Sequence, residues 1–150
     1  MTLLSANFLE EDKMSSKFII DAEKLIEKFP EPHNMKAIEN NSEYLCIHHS
    51  GASEDVVDMC SLEISHEGSF IELRNIAITE YYKGMGYGSG VLKGLIDQCC
   101  LHKLGLFSDL CYIGSISVIR SIVAKLTVLH DYEEYGLDDD GTYRFQLSFH

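Results

Sequence analysis

Near the N-terminus, Phe18, Ile19, Ala22, Leu25, Ile26 and Phe29 recur at i, i+3 and i+4 intervals, which predicts an amphipathic helix. Ser15 or Ser16 caps it, and Pro30 with Pro32 ends it. Asn7 to Asp12 keeps no clean period, and His33 to Asn41 reads as mostly loop. The pattern then changes. Tyr44 to His49, Val56 to Ser65 and Phe70 to Ile78 read as strands, joined by Ser50 to Asp55 and by His66-Glu67-Gly68-Ser69, so the middle of the chain is an antiparallel meander. From Gly88 to about Lys103, Val91, Leu92, Leu95 and Ile96 return to helical spacing, and Leu106 to Ile113 is again a strand. Strand, helix and strand there make a crossover. Ser115 or Ser117 caps a further helix in which Ile116, Ile119, Ile122, Val123 and Leu126 share a face. Its end is open, because Lys125 to His130 fits a strand equally well. After the turn Asp138-Asp139-Asp140-Gly141, the segment Thr142 to Phe149 alternates, with Tyr143, Phe145, Leu147 and Phe149 on one side.

The crossover begins with unusual chemistry. Between its first strand and its helix lie Lys83, Gly84, Met85, Gly86, Tyr87, Gly88 and Ser89. Glycines at a helix N-terminus let backbone N–H groups approach an anion, and the open amides and dipole of the first turn favour phosphate. Two common phosphate loops fit poorly. Gly84, Gly86, Gly88 and Gly90 alternate without the gap of a Gly-x-Gly-x-x-Gly dinucleotide fingerprint, and no Gly-Lys-Ser/Thr triplet exists for a Walker A loop. Lys83, Gly86 and Gly88 instead form a basic-x-x-Gly-x-Gly pattern between an apolar strand and an apolar helix.

Over Phe70 to Lys103 this resembles motif A of the GNAT superfamily of acyl-CoA-dependent N-acyltransferases, Arg or Gln-x-x-Gly-x-Gly or Ala. The resemblance implies a GNAT-like α/β fold, a central mixed, mostly antiparallel sheet flanked by helices, as a single domain over residues 1–150. It implies that the loop from Lys83 to Ser89 holds the pyrophosphate of acetyl-CoA, and that Ile76, Ala77 and Ile78 bond the pantetheine arm through their main chain. Lys83 keeps the positive charge of the motif's first position but lacks the planar fork of Arg.

Charge and cysteine content narrow the class. The chain has 150 residues, 45% of them hydrophobic, and a formal net charge of −12. Such acidity disfavours nucleic acid and anionic membranes as partners, and leans toward cationic substrates or simply toward solubility. Five cysteines, with Cys99 and Cys100 adjacent in a predicted helix, read as buried thiols of a reducing compartment, and no basic n-region opens the chain, so a cytoplasmic protein is expected. His48 and His49 point to opposite faces of a strand, so no metal is expected there, and Cys111 has no activating base nearby in sequence.

Acyl transfer to an amine also needs a base and an acid. The resemblance points to Glu72 as base, since histone-acetylating relatives carry a glutamate at the same offset before the motif. In a regular strand Phe70, Glu72, Arg74, Ile76 and Ile78 share a side, so Arg74 is an alternative partner that would hold Glu72 ionised. Tyr132 is the candidate acid, because Tyr132-Glu133-Glu134-Tyr135-Gly136-Leu137 resembles the Tyr-Glu-Lys-x-Gly-Phe stretch of many GNAT enzymes. That equivalence needs a helix through Leu129; otherwise Tyr135 or Tyr112 are the alternatives. The expected activity is acetyl transfer from acetyl-CoA to a primary amine of a small molecule or protein, with a homodimer allowed. The alternative is an inactive CoA-binding or interaction module.

Overall fold

The computed structural model describes residues 19–29, 35–39, 41–49, 59–126, 129–137 and 141–149. In chain order the elements are α1 (Ala22–Ile26), β1 (Met35–Glu39), β2 (Tyr44–His49), β3 (Cys60–Glu67), β4 (Phe70–Ile78), a single 3-10 turn (Glu80–Tyr82), α2 (Tyr87–His102), β5 (Gly105–Tyr112), α3 (Ile113–Val123), β6 (Leu129–Gly136) and β7 (Thr142–Phe149). The strands form one sheet in the order β1-β2-β3-β4-β5-β7-β6. Every neighbouring pair is antiparallel except β4 and β5, which are parallel and joined through α2. The expected mixed, mostly antiparallel sheet with flanking helices is therefore present.

Sheet register places the core. Leu45, Leu62, Ile64, Ile71, Leu106, Phe145 and Leu147 are buried side by side on one face. Val91, Leu95 and Ile96 of α2, with Ile116 and Ile119 of α3, complete the same cluster. Tyr143 and Phe149 pack against it rather than standing apart. Burial of this apolar surface is what holds the helices on the sheet.

Several elements differ from their sequence expectation. Asp21 caps α1, accepting from Glu23 and Lys24 N–H, so the described helix starts at Ala22; the expected caps Ser15 and Ser16, the closing prolines and the aperiodic stretch Asn7 to Asp12 lie outside the described residues. Within His33 to Asn41, read as loop, Met35–Glu39 is an edge strand paired to β2. Only Met35 and Ala37 turn inward there, and Ile38 is exposed, which hides the alternation. The last helix ends at Val123, and Leu129–Gly136 is the other edge strand. Its described inward residues are Tyr132 and Glu134, so it carries no apolar period by which to be found.

β4 is also irregular. Ile64 faces Leu73 but Glu63 faces Asn75, so one extra residue, Arg74, is accommodated in a bulge. The regular alternation expected along β4 is broken at that point. Ile76 and Ile78 lie on the face of Ile71 and Leu73, not on that of Phe70 and Glu72, because the bulge shifts the parity by one.

Candidate functional site

The parallel pairing of β4 and β5 covers only Phe70↔Gly105, Ile71↔Leu106 and Glu72↔Phe107. Beyond these, Leu73 to Ile78 and Ser108 to Tyr112 continue without pairing to each other. Toward their C-terminal ends the two strands are not paired to each other, so the ladder is open there. An extended ligand arm laid there would find the hydrogen bonds that a neighbouring strand normally supplies. Ile76, Ala77 and Ile78, assigned by resemblance to bond such an arm, lie on the β4 side of this opening.

The glycine loop stands at the end of β4. Gly84 has φ 79° and Gly86 φ 93°, left-handed conformations that disfavour residues with a Cβ. Gly86 is the N-cap of α2, and its carbonyl accepts the first helical bond from Gly90 N–H at 3.0 Å. Gly88 and Ser89 N–H therefore have no carbonyl further back in the helix to reach, and they face the helix end with the positive dipole. Tyr87 contributes only main chain to this end: its side chain is buried, with ring centroids 5.4 Å from Phe29 and 5.8 Å from Tyr82. These edge-on rings anchor the loop to the segment after α1. Met85 is half exposed, and Lys83 pairs with Glu80 at 2.9 Å.

From Ser89 a groove of about 550 Å³ runs between α2 and α3, past Lys93 on one side and Ser117, Ser121 and Lys125 on the other, with Ile122 in its wall. Asp97 also borders it, but its carboxylate is 3.3 Å from Lys28 Nζ. Two lysines in one groove are notable in a chain with 12 basic and 24 acidic residues, and they suit an anionic ligand. Neither lysine is one of the signature positions Lys83, Gly86 and Gly88. Only the packing of α3 beside α2 brings them together.

Glu72 lies at the last paired position before the ladder opens. Its side chain is 22% exposed, and Oε1 accepts from Arg74 Nε at 3.1 Å. Arg74 Nη1 is 3.6 Å from Glu43 Oε2, and Glu72, Glu43 and Glu63 hold the guanidinium above its usual pKa despite a smaller opposing effect of burial. The alternative partnership of Arg74 with Glu72 is thus the one present.

Tyr132 lies near the middle of β6, not at the end of a helix. β5 and β7 stand between it and β4, roughly 14 Å at ordinary strand spacing. Its hydroxyl donates to Glu134, and Arg120 of α3 grips the same carboxylate through Nε, at 2.8 and 3.1 Å, and through Nη2. The Arg120 guanidinium also lies 5.4 Å from the centroid of the Tyr143 ring. Burial, and then the Glu134 carboxylate, push the Tyr132 phenol well above its usual range, while Arg120 holds Glu134 below the carboxylate range. The alternatives Tyr112 and Tyr135 are exposed at the end of β5 and on β6. Burial raises the Cys111 thiol to about 11, which leaves little thiolate for nucleophilic attack.

The Glu134 shift has a testable consequence. A depressed carboxylate contributes stability above its unfolded pKa, about 4.3, and that contribution is lost as pH falls through the lower folded value. Arg120→Met is expected to flatten the acid limb of stability below about pH 4, with its largest loss of stability at neutral pH and the smallest at the acid end, where Glu134 is protonated in both proteins. Urea unfolding at stepped pH checks this. Identical acid limbs would remove the ion pair as the cause.

No protein-family model matches the chain, and no curated protein matches it. Solved structures do. The ribosomal-protein-S18-alanine N-acetyltransferase from Escherichia coli is 15% identical, covers 71% of this chain and 66% of its own, and superposes with a TM-score of 0.48. Naa50 of Arabidopsis thaliana, in complex with the bisubstrate analogue CoA-Ac-MVNAL, is 12% identical over 73% of this chain and 74% of its own, with a TM-score of 0.44. A GNAT-family acetyltransferase from Streptococcus pneumoniae is 14% identical over 71% of this chain and 66% of its own, with a TM-score of 0.45. The chain thus spans slightly less than two thirds of the Escherichia coli and Streptococcus pneumoniae proteins. In architecture it is similar to acetyltransferases of the GNAT family.

Proposed function

We propose that the protein is an N-acetyltransferase that moves an acetyl group from acetyl-CoA to a primary amine by direct attack. One observation carries the reading: the parallel pairing of β4 and β5 ends after Glu72 and Phe107, and the glycine loop with a helix N-terminus stands at the end of β4. An acyl-CoA has a matching shape. Its pantetheine arm suits the opening, its pyrophosphate suits the amides of the loop, and its nucleotide suits the groove with Lys93 and Lys125.

In the reaction the lone pair of a neutral amine attacks the thioester carbonyl carbon. The tetrahedral adduct then collapses with cleavage of the C–S bond, the nitrogen loses a proton, and the thiolate gains one. Glu72, beside the opening, is the candidate acceptor of the amine proton; it must first exchange its bond from Arg74 for one to the substrate or a water. The helix through Leu129 that would make Tyr132 the donor to the thiolate is absent, and the Tyr132 proton is held by Glu134 on β6. Tyr112, exposed at the end of β5 beside the opening, is the candidate donor instead. The engagements of Glu72 and Tyr132 favour a second reading, a CoA-binding module without turnover.

Calorimetric titration with acetyl-CoA, dephospho-CoA and NAD, followed by free-thiol release with a panel of amines, separates the readings. Micromolar binding of acetyl-CoA with turnover supports the enzyme, and binding without thiol release on any amine supports the module. No binding of acetyl-CoA removes both. For the enzyme, Tyr112→Phe is expected to lower turnover by about tenfold or more with little change in acetyl-CoA affinity. Unchanged turnover would move the acid role elsewhere.

A further inference from the structure

Glu80 and Lys83 stand at the mouth of the glycine loop, three residues apart across the 3-10 turn. Lys83 N–H donates to Glu80 C=O at 3.2 Å, and Lys83 Nζ lies 2.9 Å from Glu80 Oε2. In 3-10 geometry, side chains at i and i+3 eclipse, so the backbone itself sets the carboxylate beside the amine. The turn is braced as well. Tyr81 and Tyr82 meet edge to face at 5.1 Å, and Tyr82 packs on the buried Tyr87 at 5.8 Å. Glu80 is therefore held close to the loop's cation.

The two side chains are 61% and 87% exposed for Lys83 and Glu80. An exposed pair of this kind is weak and easily displaced. Resting on the acyl-CoA reading of the loop, we propose that Glu80 sets the loop's affinity by competing with the coenzyme pyrophosphate for Lys83. The cation is spoken for in the free protein. A ligand must carry enough negative charge to draw it away, and the adjacent carboxylate then repels that ligand and favours its release. The device selects for diphosphates over weaker anions, and it keeps coenzyme bound loosely enough to leave after each cycle.

The experiment titrates acetyl-CoA into wild type, Glu80→Gln, Lys83→Gln and the double variant, at low salt and at about 0.5 M salt, where charges only a few ångström apart are still screened. Both side chains are exposed, so all four proteins are expected to fold, and their thermal unfolding checks it. Glu80→Gln is expected to bind about threefold more tightly at low salt, with the gain shrinking at high salt and in the Lys83→Gln background. A wild type that binds no acetyl-CoA would remove the acyl-CoA reading itself. Wild-type binding with equal affinity in Glu80→Gln would overturn the competition alone. Weaker binding in that variant would also overturn it, assigning Glu80 to orienting Lys83, and so would a gain of equal size without Lys83.

Discussion

Gly86→Glu is expected to abolish acetyl-CoA binding, lowering affinity by about 100-fold or more. Two effects act together. Gly86 has φ 93°, where a Cβ costs about 1–2 kcal/mol, and it caps the helix whose amides are proposed to hold the phosphates. A carboxylate about 4 Å from a diphosphate adds repulsion of about 1–4 kcal/mol per charge pair, depending on how well water screens it. Gly86→Ala separates the two, since it keeps the backbone strain without the charge. Gly88→Ala is the control for the fold: a Cβ there meets only the Ile78 side chain, at 3.8 Å, which is ordinary contact. Calorimetric titration reads the affinities and thermal unfolding the strain. Wild-type affinity in Gly86→Glu would remove the phosphate cradle and with it the proposed function.

Gly90→Val is expected to lower the unfolding midpoint by roughly 2–12 °C, because it strikes the crossing of α2 with α1 and the residues after it. A Cβ at Gly90 would stand 2.9 Å from Lys28 O and 2.9 Å from Phe29 Cδ1. The carbonyl is backbone and cannot swing aside. Overpacking of this kind costs about 1–3 kcal/mol, and each kcal/mol is worth about 2–4 °C in a chain of this size. Replacing glycine in a helix recovers a few tenths of a kcal/mol at most. Gly94→Ala is milder, since its Cβ would lie 3.1 Å from Leu25 Cα, and a loss of about 1 kcal/mol is expected. Gly90→Val also displaces Phe29, whose ring supports Tyr87 at the start of α2, so acetyl-CoA affinity falls with stability. An unchanged midpoint would mean that the two helical segments do not cross at Gly90.

The glycine run thus divides by role. Gly84 and Gly86 need left-handed backbone, whereas Gly90 and Gly94 make room for α1 and the residues that follow it. Spacing alone cannot separate these uses, because both look like a small residue at every second or fourth place. The same limit applied to the strands at the two edges. Met35–Glu39 and Leu129–Gly136 each have one covered flank and few inward apolar residues, so neither carries the alternation that reveals a strand. The central strands were legible because both their neighbours and the helices bury them.

Strand meander, glycine loop and crossover could be read from residues in order, since each depends on contacts and conformations within a short stretch: period two, period 3.6, and a run of residues without Cβ atoms. The final strand was legible for the same reason, with Phe145 and Leu147 fully buried as its alternation requires. What only the tertiary structure decided was how far β4 and β5 pair, the bulge at Arg74, the groove between α2 and α3, and the partners of Glu72 and Tyr132. These are matters of register and of helix placement. They are set by the sum of packing over elements distant in the chain, and a one-residue shift in β4 changes which side chains share a face without changing any local preference.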